Sequence, residues 1–359
     1  MTEQPLRILH TEASLGWGGQ EIRILTEAQV FIKHGHTVHL LANEESEILK
    51  AAPRYGVPAS PAPLRRKSLA GIRALRSFLR TWRPDVVNPH SSVDSWIVAL
   101  ARVGLRPRPR VVRTRHISAP IPRNVASRWL YNYGCDFIMT TGEAIVDQMT
   151  ADGFVARDRI ASVPTGIDTD RFRPGDKREA RRAVGLPQDA FIFGIVATLR
   201  SWKGHADLLE AFAQLSGSGL HLAIVGDGPQ EANIRSAIDR LGIADRVTLA
   251  GRQSDVVPWL QAFDTFVLPS YANEGIPQAI LQAMAVGLPI ISCPIGGIPE
   301  ATRAVSGVVL IPPRNVAALG DAMLESSRRP AANLQDRGDL ADKISLQSMY
   351  EAVSKKYQT

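Results

Sequence analysis

Cysteine is scarce: 359 residues contain two, Cys135 and Cys293. No disulfide framework can be built from so few, and a reducing compartment fits. Cys293 stands in the apolar run Pro289-Ile-Ile-Ser-Cys293 and reads as a buried structural thiol. Long apolar runs are missing too; none approaches the roughly 18 residues of a membrane span. Met1-Thr-Glu-Gln-Pro-Leu-Arg7 has neither a basic start nor a long apolar core, so a cytoplasmic protein without a secretory leader is expected. The region from Arg65 to Arg83 lacks acidic residues altogether.

The 45% of hydrophobic and 21% of charged residues belong to an ordinary globular protein, and the length suffices for two domains with cores of their own. The net charge of +7 is unevenly spread: residues 1–175 carry 24 Lys and Arg against 16 Asp and Glu, and the remainder carries 18 against 19. Basic character is therefore a property of the first half.

That half alternates short β-rich runs with segments of helical spacing. Leu6–His10, Thr37–Ala42, Asp85–Asn88, Arg110–Thr114 and Asp136–Thr141 read as strands. Helices are expected over Gln20–Lys33, Ser68–Trp82, Val93–Val103 and Asn124–Tyr133. The second half repeats the design from Phe191–Val196 onward. Repeated βα units predict parallel sheets covered on both faces, and hence an α/β protein of two Rossmann-like, doubly wound domains facing across a cleft. Asp168–Asp189, charged and carrying Pro174 and Pro187, reads as the linker. The last segment, Lys343–Tyr357, reads as an amphipathic helix.

The stretch with most to say is Ser270-Tyr-Ala-Asn-Glu-Gly-Ile-Pro-Gln-Ala-Ile-Leu-Gln282. Asp264–Pro269 before it reads as a strand. Ile280, Leu281, Met284 and Ala285 after it recur at helical spacing up to Gly287. Glu274 thus stands where a strand hands over to a helix, and a helix start suits a phosphate. A carboxylate at that lip suits the hydroxyls of an attached sugar. Alone, Glu-Gly-x-Pro reads equally as an acidic helix start. Its companions are Thr198-Leu-Arg-Ser-Trp-Lys-Gly204, Ile224-Val-Gly-Asp-Gly-Pro229 and Gly296-Gly-Ile-Pro-Glu300.

In this order and spacing the motifs closely resemble the C-terminal half of a GT4-type retaining glycosyltransferase (glycosyl transferases group 1) of the GT-B fold, and the resemblance runs over nearly the whole chain. It implies an N-terminal acceptor-binding domain over 1–170 and a nucleotide-sugar-binding domain over 171–340. It also implies a closing helix, 341–359, that crosses back to the first domain.

The resemblance assigns roles residue by residue. Gly16-Trp-Gly-Gly19 joins the first strand to the first helix and is a tight turn in its own right; the matching family loop makes Gly18 and Gly19 candidates for the donor phosphates. Its spacing is not that of a dinucleotide fingerprint. His90 and His116 both end strands. His90 reads as structural, whereas His116 matches a family histidine held against the donor sugar, where a neutral imidazole can donate and accept. Arg200 and Lys203 are placed to offset charge on a departing diphosphate, work that Mg²⁺ does elsewhere, and no metal or other cofactor is expected. Gly226, Asp227 and Arg252 match the nucleotide pocket, and Gly275, Ile276 and Pro277 the helix start beneath the donor. The family places a second glutamate eight positions after Glu274, on the ribose; here that position is Gln282. An amide keeps one acceptor and loses the strength of a charge-assisted bond.

Two basic clusters remain. Arg65, Arg66, Lys67, Arg73, Arg76, Arg80 and Arg83 predict a cationic helix face opposite Leu69, Ile72, Leu75, Leu79 and Trp82. Arg102, Arg106, Arg108, Arg110, Arg113 and Arg115 lead to His116. An anionic membrane surface suits such a face; nucleic acid does not, because no aromatic interleaving accompanies the charge. The expectation is a metal-independent, hexosyl-type transferase using a nucleotide-diphosphate-sugar donor and a glycan or lipid-linked acceptor. Its setting would be bacterial cell-surface polysaccharide or lipopolysaccharide synthesis, possible at the inner face of the membrane. The alternatives are a non-catalytic nucleotide-sugar-binding subunit, which Gln282 favours, and a nucleotide-sugar epimerase on a similar fold. A two-lobed sugar-binding protein would be expected to carry the export signal that is missing.

Overall fold

A computed structural model describes residues 4–216, 219–303, 305–328 and 341–358, and the chain divides into two compact units, 1–166 with 346–359 and 167–345. Thr359, the end of the expected closing helix, lies outside the described residues, as does 329–340 at the end of the expected second domain.

The first unit is built on β1 (Arg7–Glu12), β2 (Thr37–Ala42), β3 (Ala59–Pro61), β4 (Val86–Pro89), β5 (Arg110–Arg115), β6 (Phe137–Thr140) and β7 (Ile160–Ser162). They form one parallel sheet in the order β3-β2-β1-β4-β5-β6-β7. Its helices are α1 (Gly19–Lys33), α2 (Glu47–Ala51), α3 (Leu69–Trp82), α4 (Ser92–Ala101), α5 (Val125–Trp129) and α6 (Glu143–Thr150). Successive strand residues point to opposite faces. Ile8, Val86, Val112 and Met139 accordingly pack with Ile24, Leu25 and Phe31 of α1, and Leu9, Val87, Val111 and Ile138 pack with Leu75, Ile97 and Val146 on the other side.

The second unit repeats the plan with β8 (Phe191–Val196), β9 (Leu220–Val225), β10 (Val247–Gly251), β11 (Thr265–Leu268), β12 (Ile290–Ser292) and β13 (Val308–Leu310), ordered β10-β9-β8-β11-β12-β13 and parallel throughout. Around it stand α7 (Lys177–Val184), α8 (His205–Gln214), α9 (Glu231–Leu241), α10 (Val257–Ala262), α11 (Gln278–Val286), α12 (Ile298–Thr302) and α13 (Val316–Arg328). The chain ends in α14 (Leu346–Gln358), whose Met349, Tyr350, Val353 and Tyr357 join the first unit's core beside α1. Two doubly wound α/β units with parallel sheets make this the GT-B fold.

Some expectations fail for local reasons. Asp168–Asp189 is not a linker, because α7 lies within it. Asp176 caps that helix by accepting from Glu179 N at 2.8 Å, Ala180 is buried, and Arg181 donates to Ala262 O at 3.0 Å and to Asp264 Oδ2 at 2.5 Å. Of the charges that suggested a linker, Arg181 anchors the docked helix, and Arg178, Glu179 and Arg182 form its outer face. The second basic cluster is a surface only in part, with Arg106 and Arg108 exposed. Arg102 is buried against Asp136 at 2.5 Å, and buried Arg113 stacks 4.3 Å over the Tyr131 ring. In the first cluster, Arg73, Arg80 and Arg83 are exposed, but Arg76 closes the end of α4 by donating to Ala101 O at 2.9 Å and Val103 O at 2.5 Å. Leu69, expected on the packed face, is 69% exposed.

Candidate active site

In an open parallel sheet, ligands collect outside the carboxyl ends of the strands where the strand order reverses. In the second unit that point lies between β8 and β11, and the loops leaving those strands carry Arg200, Lys203 and Glu274. Lys203 Nζ donates to Glu274 Oε1 at 2.6 Å in a largely buried ion pair. Tyr271 N donates to Trp202 O at 2.9 Å, which joins the two loops by their backbones. Arg200 is exposed, with its guanidinium 5.6 Å from the Trp202 ring.

Glu274 is held from behind as well. Gly297 N donates to Gly275 O at 2.9 Å. Gly296 has φ +58°, and a Cβ there would lie 2.1 Å from Glu274 O, so only glycine lets the 296–297 turn reach the loop. Ile276 is buried and Pro277 caps α11. Gln282 is buried farther along α11, 7% exposed. The loop after β9 packs against the loop after β8. Leu199 N donates to Asp227 O at 2.8 Å, and a Cβ on Gly226 would stand 1.9 Å from Ala197 O. Gly226 N donates to Gly251 O at 2.9 Å, one residue before exposed Arg252. Arg200, Lys203, Asp227, Arg252 and Glu274 thus all leave the same edge of one sheet. Next to Lys203, His205 is pushed down to about 4 by burial and by the lysine's charge.

In the first unit the strand order reverses between β1 and β4. Gly18 caps α1 and exposed Gly19 begins it, just beyond the end of β1. His90 follows β4 and His116 follows β5. The three imidazoles of His10, His90 and His116 form a row, with His10 Nδ1 2.9 Å from His90 Nε2 and His90 Nδ1 3.0 Å from His116 Nε2. Burial holds all three below the usual histidine range, helped for His90 by its two neighbours and for His116 by Arg23 and Arg115. All three rings are therefore neutral near pH 7.

Sequence reasoning missed the acids beside this row. Glu12 ends β1, accepts from Ser14 N at 2.7 Å and from Gln20 Nε2 at 2.5 Å, and is fully buried. Burial, then the charges of Asp94 and Glu21, push it up to about 8, so it carries a proton at neutral pH. Asp94 accepts from Thr11 Oγ1, His90 N and Ser91 N. The Ser91-x-x-Asp94 spacing of a capping box was the available signal for Asp94; Glu12 had none beyond standing at a strand's end before a glycine loop.

One Asp-x-Asp triplet occurs, Asp168-Thr169-Asp170, a pattern that elsewhere holds a metal against phosphates. Here Asp168 Oδ1 accepts from Arg171 N at 3.1 Å, closing a turn. Among the described residues no three His, Cys, Asp or Glu side chains are grouped to hold a metal ion. No helix among them is long and apolar enough to cross a membrane.

The model of the family described as Glycosyltransferase Family 4 matches residues 17–171, and that of Glycosyl transferases group 1 matches residues 190–328. A 2-deoxystreptamine N-acetyl-D-glucosaminyltransferase of Streptomyces fradiae is 25% identical over 87% of this chain and 84% of its own length. A D-inositol 3-phosphate glycosyltransferase 2 of Catenulispora acidiphila is 36% identical over 40% of this chain; the match spans about a third of that protein, 36% of its length. A glycosyltransferase structure from Rickettsia africae superposes with a TM-score of 0.86 at 18% identity, covering 99% of this chain and 98% of that one. The structure of Anabaena HepE in complex with UDP and glucose gives 0.84 at 17%, over 98% and 99%. One family model takes the first unit, the other takes the second, and the fold agrees with both: the chain belongs to the group 1, family 4 glycosyltransferases.

Proposed function

We propose that the chain transfers a hexosyl group, with retention of configuration and without a metal ion, from a nucleotide-diphosphate sugar to a glycan or lipid-linked acceptor. The observation that carries this reading is the buried Lys203–Glu274 pair, fixed by backbone contacts at the start of α11. A carboxylate accepts from sugar hydroxyls, and its own lysine offsets the cost of burying it. Lys203 has three donors, so it can keep Glu274 and still reach a phosphate oxygen. Arg200 adds a second cation. As the glycosidic bond lengthens, charge grows on the diphosphate, and these cations stabilise that state more than the bound ground state. The acceptor hydroxyl attacks on the face the diphosphate leaves, and its proton passes to a phosphate oxygen.

Donor binding is assigned to the second unit, with Gly226, Asp227 and Arg252 on the nucleotide, Gly275, Ile276 and Pro277 under the phosphates, and Gln282 on the ribose. Acceptor binding is assigned to the first unit, which would also offer Gly18 and Gly19 to the donor phosphates and His116 to a hydroxyl of the transferred sugar. HepE was crystallised with UDP and glucose, which supports including UDP-sugars among the donors tested. The exposed Arg73 and Arg80 of α3, Arg83 just past its end and exposed Leu69 at its start suit an anionic leaflet on which a lipid-linked acceptor of surface polysaccharide or lipopolysaccharide synthesis would be met. Flotation with anionic liposomes at low salt tests that placement, and a protein left at the bottom of the gradient removes it.

The central test is thermal-shift binding of UDP-, GDP-, ADP- and CMP-sugars in EDTA, followed by turnover with the donor found. One nucleotide sugar is expected to raise the wild-type Tm, and Glu274→Ala to lose most of the rise. Stabilisation without turnover would favour the binding-subunit reading that Gln282 suggests. No stabilisation by any donor would sink the proposal.

A further inference from the structure

A neutral imidazole has one N–H and one lone pair. In the row His10–His90–His116 the middle ring must donate on one side and accept on the other. The three protons therefore sit on like-named nitrogens, all on Nε2 or all on Nδ1; any other pattern leaves a link with two protons or none. What His116 presents at Nδ1, its nitrogen outside the row, is thus decided at the far end, by His10.

That end is fully buried. His10 pairs in register with Asn88 of β4, and Asn88 Nδ2 donates to Glu27 Oε1 at 3.4 Å. Glu27 Oε1 also accepts from Tyr357 Oη at 2.8 Å, while Arg23 Nε lies 3.5 Å from Glu27 Oε2. His10 Nε2 and Glu27 Oε2 are both buried without a hydrogen-bond partner, as are Arg23 Nε and Nη2. Two charges therefore act on His10: Glu27 favours an N–H at Nε2 and Arg23 a lone pair. Arg23 is engaged elsewhere, its Nη1 by Val163 O at 2.7 Å and Thr165 Oγ1 at 3.2 Å and its Nε facing Glu27 Oε2, and in keeping with this the Glu27 charge raises His10 more than Arg23 lowers it.

We infer that the buried Glu27 carboxylate, acting through His10 and His90, fixes His116 in the Nε2–H tautomer, so that its Nδ1 is a standing acceptor for a sugar hydroxyl. His10, His90 and Glu27 are then positioning residues. Only the hydroxyl rests on the reading given under Proposed function; the tautomer does not. The row converts a charge on α1 into a fixed acceptor at the end of β5, without a formal charge at the site. A lone neutral histidine would be free to offer either a proton or a lone pair.

The test is ring-nitrogen NMR of the ¹⁵N-histidine-labelled full chain without any nucleotide sugar, with signals assigned by single His→Gln substitutions. Wild-type His10, His90 and His116 are expected to carry the proton on Nε2 from pH 6.5 to 8.5. In Glu27→Gln all three rings should shift together towards Nδ1–H. Should that variant not fold, His90→Gln cuts the row, and the His116 signals should move to an average of the two tautomers. Wild-type His116 protonated on Nδ1 would overturn the inference, and so would a folded variant whose His116 signals stay in place. With a donor in hand, His90→Gln should raise the donor KM about tenfold, the worth of one hydrogen bond, with a smaller change in kcat. If no donor binds the wild type, the functional reading fails while the tautomer result still decides the row.

Discussion

At the scale of single residues, the site depends on places where a side chain is forbidden. Gly296→Ala pays for a left-handed backbone, about 1–3 kcal/mol, and also drives a methyl into Glu274 O, which lies 2.1 Å from the ideal Cβ position. Gly287→Ala incurs the same kind of strain at φ +89°, but its Cβ would meet only Pro174 Cγ at 3.8 Å. Both variants should melt several degrees below wild type. Gly287→Ala should keep the donor-induced rise in Tm, and Gly296→Ala should lose it, because only there does Glu274 move. Equal retention in both would mean that the turn at 296–297 supports the fold and not the carboxylate. Lys203→Ala makes a related point: it strands Glu274 in a largely buried place and should cost about 3 kcal/mol in denaturant unfolding. Adding Glu274→Gln should recover most of that loss but no donor binding.

At the scale of elements, α14 shows how a surface helix becomes part of a core. Tyr357 donates to Glu27 Oε1 at 2.8 Å and accepts from Asn88 Nδ2 at 2.7 Å, while Tyr350 Oη lies 3.1 Å from His36 Nε2. Tyr357→Phe keeps the ring packing and removes one hydroxyl, leaving Asn88 and Glu27 short of a partner. About 1–3 kcal/mol should be lost in denaturant unfolding, and an unchanged midpoint would show those groups satisfied by other means. Apolar periodicity made α1, α3 and the long strands legible, because burial on a sheet dictates which positions are apolar. It failed for three-residue β3 and β7, too short to show a period. It failed for α7, whose buried Arg181 looks like a surface charge until Asp264 is placed beside it. Arg102 and Arg113 misled for the same reason. In the site, Lys203 and Glu274 were visible through local motifs, but their ion pair joins residues 71 positions apart. The histidine row is farther from view, since its links span 80 and 26 residues and nothing along the chain marks His10 as the partner of His90.

At the scale of the whole molecule, buried titratable groups make stability depend on pH, and Glu12 sets the alkaline side. Its folded value, about 8, lies above the ordinary 4.5, so the folded state holds a proton that the unfolded state has released. The stability this contributes is fully present below pH 4.5 and is lost as pH rises through 8. The slope approaches about 1.4 kcal/mol per pH unit in the middle of that range. The buried histidines act oppositely: His10, His90, His116 and His205 are held below 6.5, so what they contribute is present above 6.5 and is lost on acidification. Between pH 7 and 8 they are nearly silent, and the Glu12 titration runs through that window. Glu12→Gln removes the titration but leaves the fold intact, because the Gln20 amide can turn to present its oxygen to the new NH₂ group. Urea unfolding at pH 6.5, 7.5 and 8.5 should show the wild type losing about 2 kcal/mol relative to Glu12→Gln across the range. Four of the six tryptophans, Trp17, Trp82, Trp96 and Trp129, lie in the first unit, so their fluorescence should carry the difference. A wild type and variant that track each other would show that Glu12 releases no proton in this range and is already ionised at neutral pH.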